Sequence, residues 1–151
     1  MKKLIVLSLL FIITAALFAA GNGNSMENST LDKKLIININ GKTDLTATLY
    51  NNSSSRALVE LLQKGPVTID MHDFSNFEKV GELPVTLPRN DTYIETDSGD
   101  LILYLGKRFV IYYDKNSWSF TPLGKVEGIS KPELKKILGN DNVTAVLKLG
   151  E

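Results

Sequence analysis

The chain has no cysteine. That excludes a disulfide framework, a thiolate nucleophile and any thiolate metal ligand. It also removes the attachment point a bacterial lipoprotein would need. Histidine is scarce: His72 is the only one. Two-histidine metal motifs are therefore out of reach. A serine triad would have to use His72, and no Gly-x-Ser-x-Gly elbow is present. Only three arginines occur, Arg56, Arg89 and Arg108. Neither charge is in excess, with 17 basic and 17 acidic residues. Such a balance gives no electrostatic pull toward nucleic acid or an anionic lipid surface. Walker and dinucleotide fingerprints are absent, and no spacing marks a facing carboxylate pair of the glycosidase kind. Asp70 and His72 would share one face of a strand, but third and fourth ligands are not evident. No metal and no cofactor are expected, and His72 reads as a strand-end histidine hydrogen-bonded to a neighbour.

What is present begins with an address. Met1-Lys2-Lys3 is a short positive start, and Leu4 to Ala20 is apolar apart from Ser8 and Thr14. Small polar residues, Gly21-Asn22-Gly23-Asn24-Ser25, follow. This is the pattern of a secretory signal, and a cut after Gly21 places small residues, Ala19 and Gly21, at the two recognition positions. An uncleaved anchor is the alternative, since the run approaches the roughly 17–25 residues of a membrane span. Residues 1–21 are expected to be a signal peptide, 22–32 a flexible polar leader, and 33–151 one domain. Without Lys2 and Lys3 the chain keeps 15 basic and 17 acidic residues, a formal charge of −2. The domain must be held by its hydrophobic core alone, and it has the size of one ordinary domain.

Strand signals dominate that domain. Leu35, Ile37 and Ile39 alternate with polar residues, as do Leu45, Ala47 and Leu49 after Asn40-Gly41. A bare two-residue Asn-Gly loop would pair Ile37 with Asp44 and put the two apolar sets on opposite faces. A three-residue or bulged turn pairs Ile37 with Leu45, and this longer turn is expected. A helix is predicted over about 53–64, capped by Asn52 or Ser53 and ended by Gly65-Pro66. Its apolar face is Ala57, Leu58, Leu61 and Leu62. Val67, Ile69 and Met71 alternate next, and Val80 and Leu83 form a short strand. Glu78 and Lys79 are expected to anchor a loop as an ion pair. Leu101–Leu105 and Phe109–Tyr113 are apolar on both faces, as a barrel wall packed under helices would be. Ser130 and Glu133 form a capping box around Pro132, with Ile129 and Leu134 as a staple, and Gly139 ends this second helix. Val143, Ala145, Leu147 and Leu149 alternate last. About eight short strands with two short helices favour a barrel or sandwich.

Several segments together carry a family resemblance. They are Asn38-x-Asn40-Gly41-Lys42, Ala47-Thr48-Leu49-Tyr50-Asn51-Asn52 before an Ala-Leu helix, and Asp73-Phe74 through Glu78-Lys79-Val80 to Leu83-Pro84 and Leu87-Pro88. Gly99-Asp100-Leu101 and Leu123-Gly124-Lys125-Val126 complete the set. The chain from Leu35 to Leu149 resembles the bacterial cyclophilin-like fold proteins. The resemblance implies a mainly β fold: a closed eight-stranded β-barrel with two short helices over its ends. It implies no settled activity.

A cyclophilin isomerase uses an arginine beside an apolar proline pocket. Between Ile69 and Leu83, where the resemblance would put that arginine, this chain has none, and it lacks a Gln-Gly-Gly segment. Phe120 falls near the position of a pocket histidine, and Trp118 is similar to a pocket tryptophan, set in the polar stretch Lys115-Asn116-Ser117. The reading is an exported, monomeric binding or accessory module with no nucleic-acid partner. Its expected groove, formed by Met71, Tyr113, Trp118 and Phe120, would hold a peptide or small apolar ligand without efficient prolyl isomerisation. A divergent isomerase, with Arg89 or Arg108 as donor, is one alternative. A purely structural or interaction domain at the cell envelope is the other.

Overall fold

The computed structural model of this protein describes residues 29–151. The expected signal segment and most of the leader lie outside the described residues. β1 (Thr30–Ile39) already begins inside the stretch read as leader, and Thr30 pairs with Tyr50. The order continues with β2 (Thr43–Tyr50), α1 (Ser53–Gln63), β3 (Val67–Phe74), β4 (Glu78–Glu82), β5 (Thr92–Thr96) and β6 (Asp100–Tyr104). β7 (Arg108–Tyr112), β8 (Asn116–Val126), α2 (Lys131–Leu138) and β9 (Val143–Leu149) complete it.

Eight antiparallel strands run in the order β2-β1-β9-β3-β4-β7-β6-β8, and β8 pairs back onto β2 to close the barrel. The first hairpin turns through Asn40, Gly41 and Lys42, with Asn40 and Gly41 both at positive φ. Ile39 pairs with Thr43 and Ile37 with Leu45, the register that keeps both apolar rows inside. At the seam Leu49 pairs with Gly124. A Cβ on Gly124 would stand 2.1 Å from the Thr48 carbonyl oxygen. Only glycine lets the two strands approach there.

The interior is filled by Leu35, Ile37, Leu45, Leu49, Ile69, Met71, Leu101, Leu103, Phe109, Ile111, Tyr113 and Leu147. Both helices seal it, α1 with Leu58 and Leu62 and α2 with Leu134 and Leu138. Asn52 caps α1 by accepting from the Ser55 amide at 2.9 Å, and Ser130 and Glu133 form the expected capping box on α2. Leu61 is only partly buried. The turn's depth is taken instead by Ser54 and Ser55, whose hydroxyls donate to the carbonyls of Pro88 and Leu123.

Lys79 is the largest departure from expectation. It does not pair with Glu78, because successive strand side chains point to opposite faces. Its side chain runs inward and is fully buried. The ammonium donates to Asp73 Oδ1 at 2.9 Å and to the Asp141 carbonyl at 2.7 Å, and lies over the Tyr113 ring.

β6 and β7 are apolar on both faces, as expected, but what covers their outer face is not a helix. Val80, Ile102, Val110, Tyr112 and Phe120 form a second, smaller cluster outside the barrel. The cover is a two-stranded ribbon: β5 pairs with the first half of β8, from Thr92↔Phe120 to Thr96↔Asn116. β8 is therefore shared, its second half lying in the barrel beside β6 and β2.

Candidate functional site: a pocket on the outer barrel face

Strand alternation builds this site. On β4 the outward residues are Glu78, Val80 and Glu82; their partners across β7 are Tyr112, Val110 and Arg108. β6 adds Tyr104 opposite Arg108, and β3 contributes Asp70, His72 and Phe74. The ribbon supplies Asn116, Trp118 and Phe120 as a roof. Together they line a pocket of about 660 Å³, within the usual size range of small-molecule sites. Val80, Val110 and Phe120 make an apolar middle. Trp118 is 59% exposed at the rim.

The aromatic rings form a connected wall. Phe77 stacks on Tyr112 at 6.1 Å between centroids, Tyr112 meets Phe120 at 5.7 Å, and Phe120 meets Tyr104 edge-on at 6.0 Å. Each such contact adds stiffness and about 0.5–1.5 kcal/mol beyond burial.

The pocket's polar groups sit at two ends. At one end Glu82 and Arg108 face each other across the strands. The Arg108 guanidinium lies 5.9 Å from the Tyr104 ring centroid, and among the described residues it makes no ion pair, whereas Glu82 pairs with Lys107. At the other end is Glu78, beside Tyr112. Its Oε2 is buried and has no hydrogen-bond partner among the described residues. Burial pushes the Glu78 carboxyl above its ordinary range; the neighbouring Tyr112 hydroxyl offsets part of the rise, and Asp73 adds to it. The Tyr112 hydroxyl is raised in turn, first by burial and then by Glu78. Asn116 also donates to that hydroxyl at 3.3 Å.

The four residues predicted as a groove do not come together. Trp118 and Phe120 are on the pocket's roof. Met71 and Tyr113 are each 1% exposed, inside the barrel, and the Tyr113 hydroxyl is committed to Asp73. The parity of each strand decides this: Asp70 and His72 face out, so Met71 faces in, and Tyr112 faces out, so Tyr113 faces in. Trp118 lies in strand β8, not in a loop. Of the two arginines named as possible donors, Arg108 lines the pocket, while Arg89 is paired with Asp91 outside it. His72 is exposed on the pocket wall, and its neighbour Asp70 accepts from the Thr144 hydroxyl at 3.0 Å. Among the described residues no three metal-binding side chains cluster. Glu78 and Tyr112 were missed as site residues. The signal was available: Glu78, Val80, Val110 and Tyr112 are of one parity on two adjacent strands.

Comparison with known proteins bears on the fold. The solution structure of a hypothetical protein from Archaeoglobus fulgidus superposes with a TM-score of 0.56 at 15% identity, covering 82% of this chain and 98% of that one. At that identity the likeness is one of fold alone. None of the curated proteins matches this chain. The model of the cyclophilin-like family matches residues 37–148, from the end of β1 into β9. The chain belongs to the cyclophilin-like family.

Proposed function

We propose that this protein is a binding module whose site is the outer pocket, holding a small ligand or peptide side chain that is largely apolar. The observation that carries this is the arrangement around Trp118. A large aromatic side chain is left exposed beside a preformed pocket walled by the contacting rings of Tyr104, Tyr112 and Phe120. Single exposed apolar residues are ordinary, but one placed over a concave apolar site is the usual form of a binding rim. Export completes the reading, resting on the Lys2-Lys3 and Leu4–Ala20 pattern; an intact Met1 on protein purified from its native host would end that part.

Prolyl isomerisation is the second reading, favoured by one observation: Arg108 stands in the pocket without a carboxylate partner. Against it, Arg108 lies over the Tyr104 ring at the pocket's far end, and no arginine lies on β3 or β4. The binding reading expects a proline-containing test peptide to isomerise within about tenfold of the uncatalysed rate, since losing one charge-assisted donor of about 1.5–3 kcal/mol removes one to two decades. A hundredfold acceleration that Arg108→Ala and Trp118→Ala both abolish would replace binding with catalysis.

A further inference from the structure

We propose that the pocket selects a small organic cation, a primary ammonium joined to an apolar or aromatic group, with the ammonium held at Glu78. The inference rests on the binding reading above and names the chemistry of its ligand.

Three observations converge on it. Glu78 lines the pocket, and its Oε2 is buried with no hydrogen-bond partner among the described residues. A buried acceptor without a partner costs about 1–3 kcal/mol, and a ligand N–H recovers that cost on binding. The same end of the pocket is walled by the Tyr112 and Phe120 rings, and ring faces attract a desolvated cation. The charges of the lining are also unequal: Asp70, Glu78 and Glu82 are acidic, while Arg108 is the one permanent cation. Arg108 is no rival for the same ligand group. It lies opposite Glu82, four residues along β4 from Glu78, which is roughly 13 Å at strand spacing. It is also exposed to solvent, so its charge is already hydrated, whereas the Glu78 oxygen is not.

An anionic ligand at the Glu78 end would face a carboxylate, and a neutral apolar one would leave Oε2 unpaired. An ammonium satisfies it and places its hydrocarbon on Val80, Val110 and Phe120. A proton on Glu78 would compete with the cation, so binding should weaken in acid. Asp70, Glu82, His72 and Arg108 face the same space from β3, β4 and β7, and the two tyrosines from β6 and β7. The acid effect is therefore assigned to Glu78 only where Glu78→Gln removes it.

The chain contains a single tryptophan, and Trp118 sits at the rim, so its fluorescence reads the site directly. Three probes of matched shape separate the possibilities: 2-phenylethylamine, 2-phenylethanol and 3-phenylpropionate. The amine is expected to bind at least tenfold more tightly than the alcohol, and the carboxylate most weakly. Glu78→Gln should abolish the amine's advantage over the alcohol. If the alcohol binds but the amine has no advantage, or the carboxylate binds best, the cation inference falls and the binding module stands. An amine preference that survives Glu78→Gln overturns the role of Glu78. If none of the three perturbs Trp118 at millimolar concentration, both readings fall.

Discussion

Replacing Asp73 by asparagine tests the interior more sharply than any apolar truncation. Asparagine keeps the shape and can still accept from Lys79, so the change removes little but charge. Lys79 is fully buried, while the Asp73 side chain keeps 16% of its surface in water. The two partners of the pair are therefore unequal. Asp73→Asn leaves a fully buried ammonium with no counter-charge, held only by neutral groups: the asparagine oxygen, the Asp141 carbonyl and the Tyr113 ring; uncompensating a buried charge in this way costs about 3–5 kcal/mol. Lys79→Met leaves a carboxylate that reaches solvent and still accepts from Tyr113 and from the Asn76 amide at 3.2 Å. Its loss, of about 2 kcal/mol or less, is one charge-assisted bond partly offset by a better-buried side chain. The double variant should then be more stable than Asp73→Asn alone. Urea unfolding midpoints at constant slope measure all three. For a domain whose whole stability is about 5–15 kcal/mol, the larger loss is plain to see. If Lys79→Met proves the more damaging change, or Asp73→Asn costs under about 1 kcal/mol, the buried-charge reasoning is refuted.

Two further predictions concern helix packing and pH. Leu58, with no exposed surface, should cost about 2–5 kcal/mol on truncation to alanine, and partly buried Leu61 clearly less; equal losses by chemical denaturation would show that α1 packs differently. The two titrating carboxyls of the β3–β4 hairpin should act in opposite directions. Burial alone would raise Asp73, but hydrogen bonds from Lys79, Tyr113 and Asn76 outweigh it and hold the carboxyl below its ordinary range. Its contribution is present above the unfolded carboxylate pKa and lost as pH falls through the lower folded value. Glu78 is raised, so its contribution is present in acid and lost as pH rises through the folded value. Glu78→Gln should therefore be as stable as the parent, or more so, at pH 7, with the gap closing in acid. A variant clearly weaker at neutral pH would contradict the assignment.

The barrel was largely legible because its rows alternate cleanly. The register of the first hairpin followed from asking which loop length puts Ile37 opposite Leu45. Both helices announced themselves through Asn52, Ser130 and Glu133, local chemistry that needs no tertiary knowledge. The site was harder. Met71 and Tyr113 were drawn into the groove by type, when the parity of their own strands turns them inward. β5 and the first half of β8 were missed because Thr92–Thr96 and Asn116–Phe120 are too polar for their alternation to stand out; pairing with each other, not a strong apolar row, makes them strands. Glu78 and Lys79 looked like one ion pair because they are adjacent. In a strand adjacency separates side chains, and the true partner of Lys79 lies across the hairpin.

The division of β8 has a kinetic consequence. Residues 121–126 lie in the barrel wall, paired with β6 or β2 and at 124 and 125 with both, while 116–120 hold only β5 and the rings beneath. The roof can lift by local opening while the barrel stays closed, so native-state amide exchange should be faster at 116–120 than at 121–126. Ligand entry would then be limited by a motion that leaves Leu49 and Gly124 joined, and a bound molecule would slow exchange in one half of a single strand while the other half reports only global unfolding.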